Sequence, residues 1–455
     1  MTNLYILTEE RPKIEVLKKI LKHYCEVYNK DININQPLIL PNLTPEKFSN
    51  EYKLINIDIK GIKNIIIKVA SGQSSFVDFL IFEQHNIPNH DEKNNLKMVI
   101  EETKTNDNES RNLVFQRLSK FVYIDYYYEN IKKVMLFNFK NEYNYQKPSY
   151  SNKFGIKLLK TLKIDILGID YKLDEVEPFK TIDDLIIFKS KMRRPPKSNV
   201  PILIEKQKNK IEISGRLSKP AEKGNIAHDP NIGQLSGIGK ILRMLGWEED
   251  IIITKHGVKQ EVINGTRKKG NKFIHISSMI NLKLENIKIP KRDIPEKYWH
   301  YNNSAEKNGT ILLHLISIFN NDITTSIFEN HGGCERGYFY KSDKTAISIP
   351  KKSIPDLILK NDANEEILII EGKIYSKLNQ GLEQLKKIDN FENKYVKKYY
   401  ENYSINRWLV TTGGKINATD LNLKVLFHLN DDGTYLLNKK APDWLKNSFE
   451  RVINN

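Results

Sequence analysis

Residues 354–373 read Ile354-Pro355-Asp356-Leu357-Ile358-Leu359-Lys360-Asn361-Asp362-Ala363-Asn364-Glu365-Glu366-Ile367-Leu368-Ile369-Ile370-Glu371-Gly372-Lys373. Two aliphatic runs flank an Asn/Asp turn, the pattern of a β-hairpin. Side chains at i and i+2 share one face of a strand, so Glu371 and Lys373 project together. Asp356, at the start of the first strand, reaches the same place. The result is two carboxylates and one ammonium at a sheet edge. Phosphodiester hydrolysis uses that combination. Hard carboxylate oxygens hold Mg²⁺, the ion offsets phosphoryl charge and acidifies an attacking water, and the lysine orients that water and balances transition-state charge.

An acid-x-Lys triplet alone says little, because composition predicts about nine by chance in this chain. The Pro-Asp strand start, the turn and the four aliphatic residues before Glu371 set this one apart. A second constellation lies upstream. Ser74-Ser75-Phe76-Val77-Asp78-Phe79-Leu80-Ile81-Phe82 is followed by a polar loop and then by Met98-Val99-Ile100-Glu101-Glu102-Thr103-Lys104. Asp78, Glu102 and Lys104 repeat the order of acid on one strand and acid-x-Lys at the end of the next. Val77 stands where the first constellation has Pro355, and the connecting loop is longer.

The segments Ile354-Pro355-Asp356 and Ile370-Glu371-Gly372-Lys373 resemble the PD-(D/E)xK nuclease motif. The resemblance implies that Asp356 and Glu371 are metal ligands and Lys373 the catalytic lysine. It makes Glu335, in HGGCERGYF, a candidate additional acid. Carried to the first half, it implies Asp78 and Glu102 as metal ligands and Lys104 as the lysine. The continuation EETKTNDNESRNLVFQRLSKFVYIDYYY is similar to the segment after the catalytic lysine in a group of type II restriction endonucleases. On that likeness Arg111, Asn112, Gln116, Arg117 and Lys120 lie near the scissile phosphate, as donors to phosphates or base edges. The likeness covers about 60 residues in the first half and about 50 in the second.

The rest of the chain bounds this reading. Its 455 residues exceed one compact core and suggest two or three domains. Lys plus Arg outnumber Asp plus Glu by 72 to 56, a net charge of +16 that favours a polyanionic partner through counterion release. Two cysteines, Cys25 and Cys334, exclude a disulfide scaffold and a cysteine zinc site. No apolar run is long enough to cross a bilayer, and MTNLYILTEERPK lacks the parts of a signal peptide, so a cytoplasmic protein is expected.

The shift to KSKMRRPPKSNVP between Lys189 and Pro201 is the preferred boundary. The expected division is a nuclease domain over 1–195, a DNA-recognition region over 196–300 and a second nuclease domain over 301–455. In the middle region Asp229 and Pro230 can start a helix that Gly246 ends. Gly237-Ile238-Gly239-Lys240 fails as a phosphate loop, because Gly233 is one residue too far away and Ile241 stands where Ser or Thr belongs. Lys255, His256, Arg267 and Lys268 lie in polar or basic loops suited to DNA.

Together these readings predict an α/β multidomain protein with two restriction-endonuclease-like PD-(D/E)xK cores, each a central mixed sheet flanked by helices. The expected function is a type II site-specific endodeoxyribonuclease that uses Mg²⁺, with Mn²⁺ able to substitute, on double-stranded DNA. Each core would cut one strand, and a cognate DNA methyltransferase would be encoded nearby. The alternatives are a non-sequence-specific repair or CRISPR-associated nuclease, and a DNA-binding protein with degenerate cores.

Overall fold

A computed structural model describes residues 1–8, 12–72, 77–88, 94–103, 113–128, 130–137, 150–168, 175–192, 203–217, 230–261, 272–288, 301–303, 305–319, 325–328 and 355–454. The first elements are β1 (Thr2–Thr8), α1 (Ile14–Val27), β2 (Ile32–Leu43), β3 (Phe48–Ile59) and β4 (Ile62–Gly72). Next come β5 (Phe79–Gln84), β6 (Leu96–Thr103), α2 (Leu113–Tyr127), β7 (Lys132–Phe137), α3 (Tyr150–Thr161), β8 (Asp165–Leu167) and α4 (Ile182–Ser190). The middle holds β9 (Leu203–Lys206), β10 (Lys210–Ser214), α5 (Pro230–Met244), β11 (Asp250–Thr254), α6 (Lys272–Met279), β12 (Leu282–Leu284) and β13 (Tyr301–Asn303). The last part holds α7 (Ala305–Ile318), β14 (Thr325–Phe328), β15 (Leu357–Asn361), β16 (Glu366–Ile374), α8 (Leu378–Lys387), β17 (Ser404–Thr412), β18 (Val425–Leu429), β19 (Tyr435–Leu437) and α9 (Asp443–Ile453). The architecture is mixed α/β, with mixed sheets flanked by helices.

The chain forms two compact units that do not follow chain order. One comprises residues 1–71, 84–87 and 302–455, the other residues 72–83 and 88–301. The break after residue 301 lies one residue from the boundary expected at 300, while no break falls at 195. The first 71 residues group with the C-terminal hairpin, and the middle region groups with the N-terminal one. The bonds explain the first grouping. Phe48 N donates to Gly433 O at 2.8 Å, the Tyr435 hydroxyl donates to Thr44 O at 3.0 Å, and Asn308 Nδ2 donates to Asn50 Oδ1 at 3.3 Å. Gly433 has φ +85° and a Cβ there would sit 2.4 Å from Phe48 O, so this turn needs glycine on both counts.

In the first unit, β14 to β19 lie in sequence order as one sheet. The β15–β16 pair is antiparallel, and β16–β17 and β17–β18 are parallel. Its two faces are covered differently. On one, α8 and the residues after it bury Leu385, Ile388, Phe391 and Val396 against Ile358, Ile367, Ile369 and Leu409. On the other, α7 approaches so closely that a Cβ on Gly309 would meet Val410 Cγ1 at 2.5 Å. Strand alternation puts Leu409 and Val410 on opposite faces, so the sheet is sandwiched between helices.

In the second unit the order β5-β6-β7-β8 repeats that topology. An antiparallel hairpin is followed by a helical crossover and two parallel strands. A separate four-stranded sheet, β12-β11-β10-β9, belongs to the same unit. Its neighbour α5 starts at Pro230, as expected, and ends where Gly246 takes φ +89° while Trp247 N bonds Leu242 O and Gly246 N bonds Arg243 O. The glycines of α5 serve packing. A Cβ on Gly233 would sit 1.5 Å from Phe115 O, and one on Gly237 would sit 2.9 Å from Leu118 Cδ1, so α5 presses directly on α2.

Candidate active sites

Leu357 pairs with Ile370 in the β15–β16 ladder, and continuing the register by one residue sets Asp356 opposite Glu371. The Asp356 carboxylate is fixed there by its Oδ2, which accepts the Gly372 amide at 2.7 Å. Lys373 Nζ lies 3.2 Å from Glu371 Oε1 and donates to Gly372 O at 2.8 Å. Its stem is pressed from above by α8, where a Cβ on Gly381 would come within 3.0 Å of Lys373 Cγ. Asp356, Glu371 and Lys373 are thus brought together as expected. Lys373 is buried, whereas both carboxylates are only half-buried.

Asp356 and Glu371 fit Mg²⁺. They offer hard oxygen donors, and two carboxylates are the usual protein share for an ion that keeps several waters. Among the described residues no group of three or more His, Cys, Asp or Glu side chains has metal-holding geometry.

Residues that the sequence reading did not single out line the same sheet row. Lys373 pairs with Thr411, and Thr411 pairs with His428. Neighbours in register share a face. The Thr411 hydroxyl and His428 Nδ1 are 2.8 Å apart, and His428 Nε2 and Asn430 Oδ1 are 3.0 Å apart. Tyr375 meets the His428 ring edge-on at 5.2 Å. Burial lowers the His428 pKa. A polar row inside a parallel sheet was detectable as HxN at Val425–Asn430, but nothing in one dimension ties it to Lys373.

The N-terminal hairpin has the same pairing with different side chains. Phe79 pairs with Ile100, so the continued register sets Asp78 opposite Glu101. Asp78 Oδ2 accepts the Glu102 amide at 2.6 Å, just as Asp356 accepts that of Gly372. Glu101 therefore stands where Glu371 stands, and Thr103 stands where Lys373 stands. The expected ligand pair was Asp78 and Glu102, whereas the register sets Glu101 opposite Asp78. Strand alternation puts Glu102 on the face opposite Glu101, and Lys104 lies outside the described residues.

The ammonium beside Glu101 comes from α2. Lys120 Nζ donates to Glu101 Oε1 at 2.8 Å and Oε2 at 2.9 Å. Arg117 Nε donates to Glu102 O at 3.0 Å and lies 3.6 Å from Glu101 Oε2. Glu101 is fully buried and Lys120 is 5% exposed. Burial, with Asp78 nearby, pushes the Glu101 carboxyl up to about 7. Burial would lower the Lys120 ammonium, but the charges of Glu101 and Asp78 more than reverse that and raise it.

Lys120, expected near the scissile phosphate, is buried with its ammonium against Glu101. Gln116 and Arg117 are half-buried on α2. His256 was expected to read DNA, but it is 6% exposed and both ring nitrogens are engaged, Nδ1 by the Val258 amide at 2.9 Å and Nε2 against Glu285 O at 2.9 Å. Its role there is to clip a loop. Lys255 beside it is exposed at φ +55°. Glu335, Arg111, Asn112, Arg267 and Lys268 lie outside the described residues.

Comparison with protein-family models, with curated proteins and with solved structures finds no match to this chain. Among the described residues no helix is long and apolar enough to cross a membrane.

Proposed function

We propose that this chain is a Mg²⁺-dependent endodeoxyribonuclease with two PD-(D/E)xK-type cores that cleaves double-stranded DNA at a short recognition sequence. The observation that carries the reading is the hairpin β15–β16, where an aspartate anchored to the amide of Gly372 faces Glu371 and the Lys373 ammonium sits against that glutamate. The net charge of +16 supports a polyanionic substrate. A repeat of the hairpin-crossover-strand order in the second unit supports two cores.

In this reading Asp356, just before β15, and Glu371 on β16 would hold the ion. Bound Mg²⁺ supplies charge neutralisation at the phosphoryl group and lowers the pKa of water. Lys373, held by Glu371 Oε1 and Gly372 O, positions its Nζ protons toward an attacking water or a phosphoryl oxygen. The α8 helix over its stem restricts that ammonium to one place, which limits the entropy lost when the reacting groups align. Each core acting on one strand would let a single chain cut an asymmetric site without a symmetric dimer. A cognate methyltransferase encoded nearby would protect the host's own sites.

The test is incubation of the purified chain with unmodified phage DNA and Mg²⁺, resolved on native and denaturing gels. Discrete fragments are expected. A smear would replace site-specific cleavage with non-specific nuclease action, and no metal-dependent cutting would overturn the enzyme reading. A second reading, favoured by the complete burial of Glu101, is that the N-terminal core binds DNA without cutting it.

A further inference from the structure

The N-terminal hairpin looks, by sequence order, like Asp78, Glu102 and Lys104. The strand register assigns the chemistry elsewhere. Anchoring of an aspartate by the amide that follows the glutamate is the same in both hairpins, Asp356 to Gly372 and Asp78 to Glu102. That shared bond fixes the correspondence residue by residue: Asp78 with Asp356, Glu101 with Glu371, Thr103 with Lys373.

Thr103 carries no charge, and its buried hydroxyl has no hydrogen-bond partner among the described residues. The strand position that holds an ammonium in one core is therefore blank in the other. An ammonium nevertheless reaches the glutamate, at 2.8 Å and 2.9 Å, from Lys120 on α2. In the C-terminal core the strand lysine lies 3.2 Å from its glutamate. The pairing of glutamate with ammonium is thus kept while the element supplying the lysine changes.

The helix that brings Lys120 is fixed in place. Gly233 and Gly237 let α5 lie directly against Phe115 and Leu118 of α2. Arg117, one turn before Lys120, ties the same helix to Glu102 O at the end of β6.

We infer that the N-terminal active centre consists of Asp78, Glu101 and Lys120, with Lys120 on α2 taking the part that Lys373 plays from its strand. This rests on the nuclease reading above and deepens it. Asp78 and Glu101 would be the carboxylates that hold the cation, and Glu102 and Lys104 would take no part. Arg117 is a positioning residue, holding α2 to the strand end.

The test compares Glu101→Gln, Glu102→Gln, Lys120→Met and Lys104→Ala with the unaltered chain. Calorimetric titration with Mn²⁺ reads cation binding directly. Glu101→Gln is expected to abolish one class of Mn²⁺ site, and Glu102→Gln to retain it. On phage DNA with Mg²⁺, Lys120→Met is expected to nick a single strand, with cleavage of the other slowed roughly a hundredfold or more, while Lys104→Ala cuts both. Thermal unfolding followed by circular dichroism checks the fold. If Lys120→Met unfolds because Glu101 loses its closest cation, the double variant Glu101→Gln, Lys120→Met carries the test and should nick one strand.

Cutting of both strands by a folded Lys120 variant would reduce the Glu101–Lys120 pair to a structural ion pair and overturn the inference. Nicking by Lys104→Ala together with loss of a Mn²⁺ site in Glu102→Gln would restore the sequence-order assignment and overturn it too. If the unaltered chain cuts no DNA with Mg²⁺, it is the nuclease reading that falls.

Discussion

The hairpins β5–β6 and β15–β16 share one pairing and differ in the source and exposure of their charges. In the C-terminal hairpin the glutamate and lysine sit two residues apart on one strand, with both carboxylates half-buried. In the N-terminal hairpin the glutamate is fully buried and its ammonium arrives from a helix nineteen residues further along the chain. The difference teaches that the backbone bond from aspartate to the amide after the glutamate aligns the two hairpins residue by residue, which the spacing of charged letters does not. A strand lysine needs only alternation. A helix lysine needs a crossover of the right length and a second helix to press it down, which is what α5 provides.

The largest expected effect tests the C-terminal side of the comparison. Lys373→Ala should slow cleavage of one strand by about a hundred- to a thousandfold, read as accumulation of nicked product on denaturing gels. Equal slowing of both strands would remove the division of labour between the cores. On the N-terminal side, Lys120→Met leaves the buried Glu101 carboxylate with only Arg117, at 3.6 Å, and should lower stability by about 3–5 kcal/mol in urea unfolding. Adding Glu101→Gln should recover much of that loss, because a neutral amide costs less to bury than a carboxylate that has lost its closest cation. No recovery would mean that the two charges are not coupled.

Helix seating gives smaller effects. Gly233→Ala forces α2 outward, since its Cβ would meet a backbone oxygen of Phe115 at 1.5 Å, and should cost roughly 1–3 kcal/mol. Gly381→Ala meets side-chain atoms at 3.0 Å and should cost less, as measured by thermal unfolding. The reverse ranking would break the claim that the helix lysine depends more on seating than the strand lysine does. Smallest of all, His256→Ala removes a loop clip and should cost about 1–2 kcal/mol. The salt dependence of DNA binding should be unchanged, and a shallower salt slope would return His256 to the DNA surface.

The C-terminal hairpin was readable in the sequence because every determinant is local: a Pro-Asp start, an Asn/Asp turn and charges at i and i+2. The limits of α5 were equally local, Pro230 at one end and Gly246 at the other. The register of the N-terminal hairpin was not readable in the sequence. Two adjacent glutamates, Glu101 and Glu102, occupy opposite faces, and only the pairing of Phe79 with Ile100 decides which one faces Asp78. The long hairpin β2–β3 escaped notice because polar residues alternate through it, Pro41 interrupts the first strand and its register shifts twice. The grouping of residues 1–71 with 302–455 depends on bonds such as Phe48 to Gly433, whose sequence separation no local pattern encodes.

The most direct measurement is cleavage of unmodified phage DNA by the unaltered chain, Asp356→Asn and Asp78→Asn with Mg²⁺, followed on native and denaturing gels. Asp356 and Asp78 hold the corresponding place in the two hairpins, so the account predicts double-strand fragments from the unaltered chain and single-strand nicks, on opposite strands, from the two variants. Folded, DNA-binding protein that leaves every strand intact with Mg²⁺ would contradict it.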